Sequence, residues 1–92
     1  MSNAERMERM RAALQQSLAP TRLAITDDSH LHAGHAGARD GRGHFSGELV
    51  SEAFAGRLPL ARHRAVYAAL GSMMETDIHA LSIVAKSPGE VA

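Results

Sequence analysis

Histidine is the residue type with the greatest capacity for chemistry in this sequence, where it occurs six times in 92 residues. Three of the six, His30, His32 and His35, lie in a glycine-rich stretch that follows Asp27 and Asp28. Neutral imidazole binds zinc, iron, copper and nickel, and a loop can bring several rings together. The spacing fits neither a helix-borne HExxH motif nor a zinc finger. Spacing alone therefore favours a solvated loop, with a loop metal site as the alternative.

The other three histidines lie in segments of predicted regular structure. His44 opens an apolar segment, and we interpret it as a hydrogen-bonding residue at the end of the loop. His63 lies on the last helix, where packing against a neighbour is the simplest role. His79 begins the last strand and shares its alternation with Leu81 and Ile83, which points its side chain toward the core. At a strand end the same side chain can instead reach the sheet edge and solvent.

Composition and motifs exclude several kinds of site. The chain has no cysteine, which excludes disulfides, cysteine nucleophiles and zinc or iron–sulfur sites made of its own thiolates. It has no G-x-S-x-G motif, and its glycines fit neither the Walker nor the Rossmann spacing. We therefore expect a protein that is not an enzyme, with metal chemistry limited to histidine and carboxylate side chains.

Charge and hydropathy limit the partners. Ten basic and ten acidic residues give a formal net charge of zero, whereas a dedicated nucleic-acid binder usually carries a basic excess. Arg57, Arg62 and Arg64 nevertheless crowd one segment, which allows a local basic face. No apolar run approaches the ~20 residues that span a bilayer, and the N-terminus lacks the apolar core of a signal peptide. These features predict a soluble, cytoplasmic protein.

Hydrophobic periodicity predicts the elements that must position the histidines. A helix within residues 1–20 begins at an Asn3 cap and ends before Pro20. Strands are predicted over residues 22–26, 44–50 and 78–84, and the histidine- and glycine-rich loop covers residues 30–43. These elements form a single domain over residues 1–92.

Helical segments are predicted between the second and third strands. A short helical turn covers residues 51–54, and a longer helix begins with Pro59 in its first turn. The apolar stripe of this helix is predicted to consist of Leu60, Val66, Leu70, Met73 and Met74. Residues 86–92 are predicted to be a tail too short to form a stable helix alone.

The order of these elements predicts an α+β fold with the sequence α-β-β-α-α-β. The first two strands are joined by a loop and should pair antiparallel, whereas a helical crossover makes the third strand parallel to the second. The expected architecture is a three-stranded mixed sheet with helices packed on one face.

Three segments together resemble the BolA family, and the resemblance runs from about Leu14 to about Val91. The first is D-S-H-L-H at 28–32, which leads through the glycine-rich loop into G-H-F at 43–45. The second is L-V-S at 49–51 with Phe54 and Gly56, followed by R-H-R-A-V-Y at 62–67. The third is I-H-A-L-S-I at 78–83, with S-P at 87–88 after it.

The resemblance implies a fold like the class II KH domain and a role in iron–sulfur chemistry. BolA proteins partner with monothiol glutaredoxins, and the pair shares a [2Fe–2S] cluster to which glutathione also contributes a thiolate. By position, the family's histidine ligands fall on His79 and His32, while His30, His35 and His63 are lower-ranked alternatives. The isolated chain is not expected to hold the cluster, because it has no thiol of its own.

The resemblance also implies an alternative function as a transcriptional regulator of stress response and cell morphology. In that case duplex DNA would contact the helix-turn-helix-like middle of the chain, through Arg57, Arg62 and Arg64. The sequence is compatible with a homodimer in either case.

Overall fold

A computed structural model describes residues 1–32 and 41–91, except for the side chains of Leu31 and His32. Its helices and strands are α1 (Asn3–Leu18), β1 (Arg22–Asp27), β2 (Gly43–Val50), α2 (Pro59–Leu70), α3 (Met73–Thr76), β3 (Ile78–Lys86) and α4 (Pro88–Val91). Single 3₁₀ turns cover Ser29–His32 and Glu52–Phe54. Within the described residues, no helix combines the length and the apolar character that crossing a membrane requires.

The three strands form one mixed sheet in the order β1-β2-β3. β1 pairs with β2 antiparallel, and β2 pairs with β3 parallel, so the predicted α+β topology is confirmed. The hairpin and the helical crossover account for the two pairings, because only the crossover can return the chain to the same starting end.

The hydrophobic core lies between one face of the sheet and the helices. Its most deeply buried side chains come from α1, β2, the 3₁₀ turn after β2, α2 and β3: Met10, Leu14, Phe45, Leu49, Phe54, Val66 and Ile78. The opposite face of the sheet is open, with exposed side chains such as Thr26, Glu48 and Ser82. The core is mostly aliphatic, as expected for a chain with only two phenylalanines.

One end of the sheet gathers the starts of two strands and the end of the third. Asp27 of β1 pairs with Phe45 of β2, and Gly43 of β2 pairs with Ile78 of β3. We call this end of the sheet, where β1 stops and where β2 and β3 begin, the histidine end. The loop predicted at 30–43 connects here, although its first residues form the 3₁₀ turn and Gly43 already belongs to β2.

The prediction that Asn3 caps α1 is wrong. Ser2 is the cap: its hydroxyl accepts the Glu5 amide, and the Glu5 carboxylate accepts the Ser2 amide in return. This reciprocal pair satisfies two donors at the helix start. Asn3 is instead free to turn toward the sheet, where its side-chain amide donates to Asp27 and Ser29.

The predicted apolar stripe of the second long helix is wrong in two respects. Leu60 is 61% exposed, because at 100° per residue it lies about 120° around the helix from Val66. The helix also ends at Leu70, since Gly71 takes a positive φ of 58°, a conformation that glycine adopts without strain. Met73 therefore reaches the core from the separate helix α3.

The predicted tail also differs from the structure. β3 continues through Lys86, and Pro88–Val91 forms the single turn α4. The Glu90 carboxylate accepts the backbone amide and the hydroxyl of Ser87 and binds Arg62 of α2 at 2.6 Å. A turn too short to be stable alone is thus held by a neighbouring helix.

Candidate functional site

Among the histidines whose side chains the structure describes, three lie at the histidine end of the sheet. His30 is exposed in the 3₁₀ turn that follows β1, His44 is the second residue of β2, and His79 is the second residue of β3. Because the three strands meet at this end, residues that are far apart in the sequence become neighbours. The fold therefore concentrates imidazole at a single edge.

A β-bulge turns His79 outward. Gly43 pairs with Ile78, but His44 pairs with Ala80, so His79 is an extra residue between two paired positions. Its side chain is exposed, and the prediction from alternation that it faces the core is wrong. A bulge re-aims one side chain without ending the strand, and Leu81 and Ile83 regain the inward face after it.

The ring of His44 packs against the ring of His79. Their centroids are 4.9 Å apart and the ring planes are tilted by 48°. His44 is only 6% exposed, while its backbone accepts the Asp28 amide at 2.8 Å and donates to the Ser29 hydroxyl at 3.1 Å. The backbone of His44 thus holds the end of the loop by hydrogen bonds, as interpreted from the sequence. The contact between the rings of His44 and His79 is not predicted by the sequence.

Arg42 links His79 to helix α3. One guanidinium nitrogen lies 3.0 Å from Nδ1 of His79, and the other donates to the backbone carbonyl of Glu75 at 3.3 Å. Sequence reasoning missed Arg42, because nothing in its sequence neighbourhood places it beside a residue 37 positions away. The contact arises from the pairing of β2 with β3.

Asp77 fixes the start of β3. This buried carboxylate binds Arg6 at 3.3 Å and Arg9 at 3.4 Å, and its backbone carbonyl accepts the Gly43 amide at 3.0 Å. Burial by itself raises the pKa of Asp77, but hydrogen bonds from Thr76 and Arg6 and the arginine charges outweigh it, so the pKa lies below 3.8. α1 therefore holds the strand start from which His79 projects.

Asp27 fixes the end of β1 in a similar way. Its carboxylate accepts the Ser29 amide at 2.9 Å and the Asn3 side-chain amide at 3.1 Å. Burial raises the pKa of Asp27, but these hydrogen bonds, with one from the Ser29 hydroxyl, lower it below its ordinary value. The neighbouring Asp28 accepts a hydrogen bond from the Ser46 hydroxyl of β2. These hydrogen bonds connect the end of β1 to the start of β2 beside His44.

The remaining predicted ligands are not all brought to this end. The backbone of His32 closes the 3₁₀ turn after β1, while His35 lies outside the described residues. His63 lies in the second turn of α2, on the helical layer. Among residues that the structure describes, no three histidine, aspartate or glutamate side chains are grouped closely enough to hold a metal ion. In the described part, His44 and His79 are the paired imidazoles.

The three arginines predicted as a basic face have different environments. Arg62 is 12% exposed and donates to the backbone carbonyls of Arg57 and Ala85 as well as to Glu90. Arg57 and Arg64 are exposed. Two of the three are therefore directed to the surface, while the guanidinium of Arg62 joins α2 to the end of β3.

His79 is the exposed imidazole of the pair, because both ring nitrogens of His44 are buried. The exposed ring of His79 offers a neutral nitrogen ligand, but the chain has no cysteine to complete an iron–sulfur site. The remaining ligands would have to come from another molecule.

Comparison with known proteins identifies relatives of this chain. The model of the family described as BolA-like protein matches residues 14–90. The chloroplastic protein BOLA1 of Arabidopsis thaliana is 47% identical over 88 residues, which are 92% of this chain and 55% of that protein. The DNA-binding transcriptional regulator BolA of Escherichia coli is 38% identical over 76 residues, 83% of this chain and 66% of that protein.

A solved structure shows the same fold. The BolA domain of SufE1 from Arabidopsis thaliana superposes with a TM-score of 0.82 at 41% identity, covering 92% of this chain and 94% of that domain. This chain spans about half the length of the Arabidopsis BOLA1 protein. The match is therefore to a domain that occurs both in short proteins and within longer ones.

Proposed function

Because this chain belongs to the BolA-like protein family, we propose that it is an adaptor for iron–sulfur and iron homeostasis. It binds a monothiol glutaredoxin and supplies histidine ligation to a [2Fe–2S] cluster that the glutaredoxin and glutathione hold through sulfur. In this proposal the chain is a cytoplasmic protein without enzymatic activity of its own.

The exposure of His79 is the observation that carries the proposal. A bulge places this side chain outside the core and at the histidine end, beside the ring of His44. A ligand to a cluster held by another molecule must be reachable from outside, and His79 meets this requirement. The occurrence of a BolA domain in SufE1 of Arabidopsis thaliana supports the iron–sulfur role in this proposal.

Imidazole changes what such a cluster can do. Replacing an anionic thiolate by a neutral ring on one iron removes negative charge and raises the reduction potential, as in Rieske centres. This chain's own contribution is to position the ring. Asp77 anchors the base of β3 to α1, and His44 supports the side of the ring.

The second ligand in this proposal is His32. It lies at the end of the 3₁₀ turn that starts beyond Asp27, so its backbone belongs to the same histidine end. His30 and His35 are the alternatives in the same stretch of sequence. Single alanine variants of the three, each mixed with the loaded glutaredoxin, would assign the loop ligand.

The test of the proposal is a visible absorption and circular dichroism titration. A monothiol glutaredoxin loaded with its cluster is mixed with wild-type protein, and we expect a heterodimer with an altered spectrum. The variant His79→Ala should lose this change while far-UV circular dichroism shows an intact fold. His63→Ala, which removes the lower-ranked alternative ligand on α2, should behave as wild type if His79 is the ligand. A spectrum for His79→Ala equal to that of wild type would show that the ligand assignment is wrong.

DNA-binding regulation is the second candidate, favoured by the name of the Escherichia coli relative and by two exposed arginines. It predicts salt-sensitive binding of duplex DNA. Because Arg62 is engaged within the fold, the loss of affinity should follow Arg57→Ala and Arg64→Ala. Absence of binding at low salt, measured by fluorescence anisotropy, would eliminate this function.

A further inference from the structure

We propose that Arg42 is a latch on His79, such that the hydrogen bond between them and metal ligation by this histidine exclude each other. This proposal rests on the proposed function, in which His79 is a ligand. It adds that Arg42 regulates ligation by His79. Arg42 does not itself touch the metal in this proposal. It acts through His79.

The direction of the bond follows from chemistry. A guanidinium has only N–H donors and no acceptor, so Nδ1 of His79, 3.0 Å from Arg42, must accept. A ring that accepts at Nδ1 is neutral and carries its proton on Nε2. The lone pair that a metal needs is therefore the one that Arg42 occupies.

Both routes to ligation require Arg42 to leave. If Nδ1 binds the metal, the metal takes the place of the guanidinium N–H. If Nε2 binds the metal, its proton must move to Nδ1, where an N–H would then face the N–H of Arg42. Neither arrangement keeps the hydrogen bond.

The structure shows which of the two side chains must move. His79 is supported by the buried ring of His44, and its backbone lies in a bulge of the sheet. Arg42 precedes β2, after Gly41 with a φ of 82°, and its guanidinium also donates to the Glu75 carbonyl at 3.3 Å. Release of the arginine breaks its hydrogen bonds to His79 and Glu75, and Arg42 itself belongs to none of the strand pairs.

The hydrogen bond from Arg42 lowers the affinity of His79 for metal. Ligation occurs only when the free energy gained by binding the partner's cluster exceeds the free energy of the hydrogen bond that is lost. A hydrogen bond that involves a charged group contributes enough to shift an equilibrium by about tenfold or more. The isolated chain is thereby biased against taking up stray metal at this position. Removing Arg42 should therefore strengthen ligation rather than weaken it.

The bond itself is tested by nitrogen NMR of the histidine rings in the isolated protein at one neutral pH. We expect His79 of wild type to be the Nε2–H tautomer, with an Nδ1 shift typical of a hydrogen-bond acceptor. In Arg42→Ala the Nδ1 signal should lose this shift, whereas Arg64→Ala, which removes an exposed arginine of α2, should leave it unchanged. A wild-type ring that carries its proton on Nδ1 would overturn the latch, whatever the cluster experiment shows.

The consequence is tested by titrating the cluster-loaded glutaredoxin with the same three proteins. Arg42→Ala should reach half of the spectral change at about tenfold lower concentration than wild type, and Arg64→Ala at the same concentration as wild type. Equal or weaker binding by Arg42→Ala would overturn the latch while leaving the proposed function intact. If wild type gives no spectral change at all, the proposed function fails, and the NMR result still decides whether the bond exists.

Discussion

At the scale of single residues, Gly43 is the position beside the histidines where a small change should cost most. A Cβ atom there would overlap the ring of Phe45 and would lie 3.1 Å from the side-chain oxygen of Asn3. The Phe45 ring is 2% exposed and fills the core, so it has little room to move. We expect Gly43→Ala to lower the free energy of unfolding by about 1–3 kcal/mol, measured by urea denaturation.

Gly89→Ala is the matched control for this substitution, because a Cβ atom at Gly89 meets nothing within 4 Å. It should leave the urea midpoint close to that of wild type. Equal stability of the two variants would show that the ring of Phe45 yields to the added methyl group. His44 follows Gly43 directly, so the destabilised variant should also show altered ring signals of His44 and His79 in NMR spectra.

The sequence predicts part of the site at this scale and not the rest. His79 is identified through resemblance, since alternation along β3 points it inward and only the bulge turns it out. The bulge depends on pairing with β2, which no local pattern encodes. His44 could have been paired with His79 by aligning the first residues of two parallel strands. Arg42 has no such signal, because its contact depends on side-chain reach across the sheet.

At the scale of elements, the turn α4 should come loose in acid. The backbone amide of Ser87, then Arg62 and the Ser87 hydroxyl, lower the pKa of Glu90 from 4.5 to about 2. A carboxyl with a depressed pKa stabilises the folded form above its ordinary pKa and loses this effect as pH falls toward the folded value. The docking of α4 on α2 should therefore weaken as the pH falls from 4.5 to about 2. The NMR chemical shift of the Ser87 amide measures this change.

The variant Glu90→Gln tests the same turn at neutral pH. It keeps the shape of the side chain but removes the charge that binds Arg62, so the Ser87 amide should exchange with solvent faster than in wild type. Glu48→Gln, on the open face of the sheet, is the control and should leave this exchange rate unchanged. A Ser87 amide that is equally protected in both variants would contradict the role given to Glu90.

Elements were predicted best where one stretch of sequence decides the outcome. The helix before Pro20, the three strands and the helix beginning at Pro59 follow from local periodicity and turn residues. Two of the errors, in the cap of α1 and in the tail, occur where contacts between elements determine the structure. Whether Ser2 or Asn3 caps α1 depends on Asp27 and Ser29, which bind the side chain of Asn3. The turn α4 depends on Arg62 of α2.

At the scale of the whole molecule, topology explains why histidines that are far apart in the sequence lie at the same end of the sheet. A hairpin followed by a helical crossover must bring the end of β1 and the starts of β2 and β3 together, so His30, His44 and His79 share one end. This arrangement follows from the predicted element order. The side-chain geometry of these histidines does not follow from the element order, because it depends on the bulge and on the anchoring of α1.

The anchoring of α1 predicts how global stability depends on pH. Asp77 joins α1 to β3 through Arg6 and Arg9, and its pKa lies below the ordinary value of 3.8 despite its burial. Because this folded-state pKa is depressed, the stabilising effect is complete above 3.8 and is lost as pH falls below that value. Urea denaturation at about pH 6 and about pH 3 should show a loss of stability over this interval.

Asp77→Asn separates this effect from general acid denaturation. Two arginines lose their carboxylate, so the variant should be less stable by about 1–3 kcal/mol near neutrality. It should also lose less stability than wild type between the two pH values, because it has no charge at position 77 to neutralise. Glu52→Gln, an exposed carboxylate change after β2, should keep the wild-type difference between the two pH values. A pH dependence as steep in Asp77→Asn as in wild type would mean that other carboxylates hold α1 to the histidine end, with Asp27, bound to Asn3, the next to test.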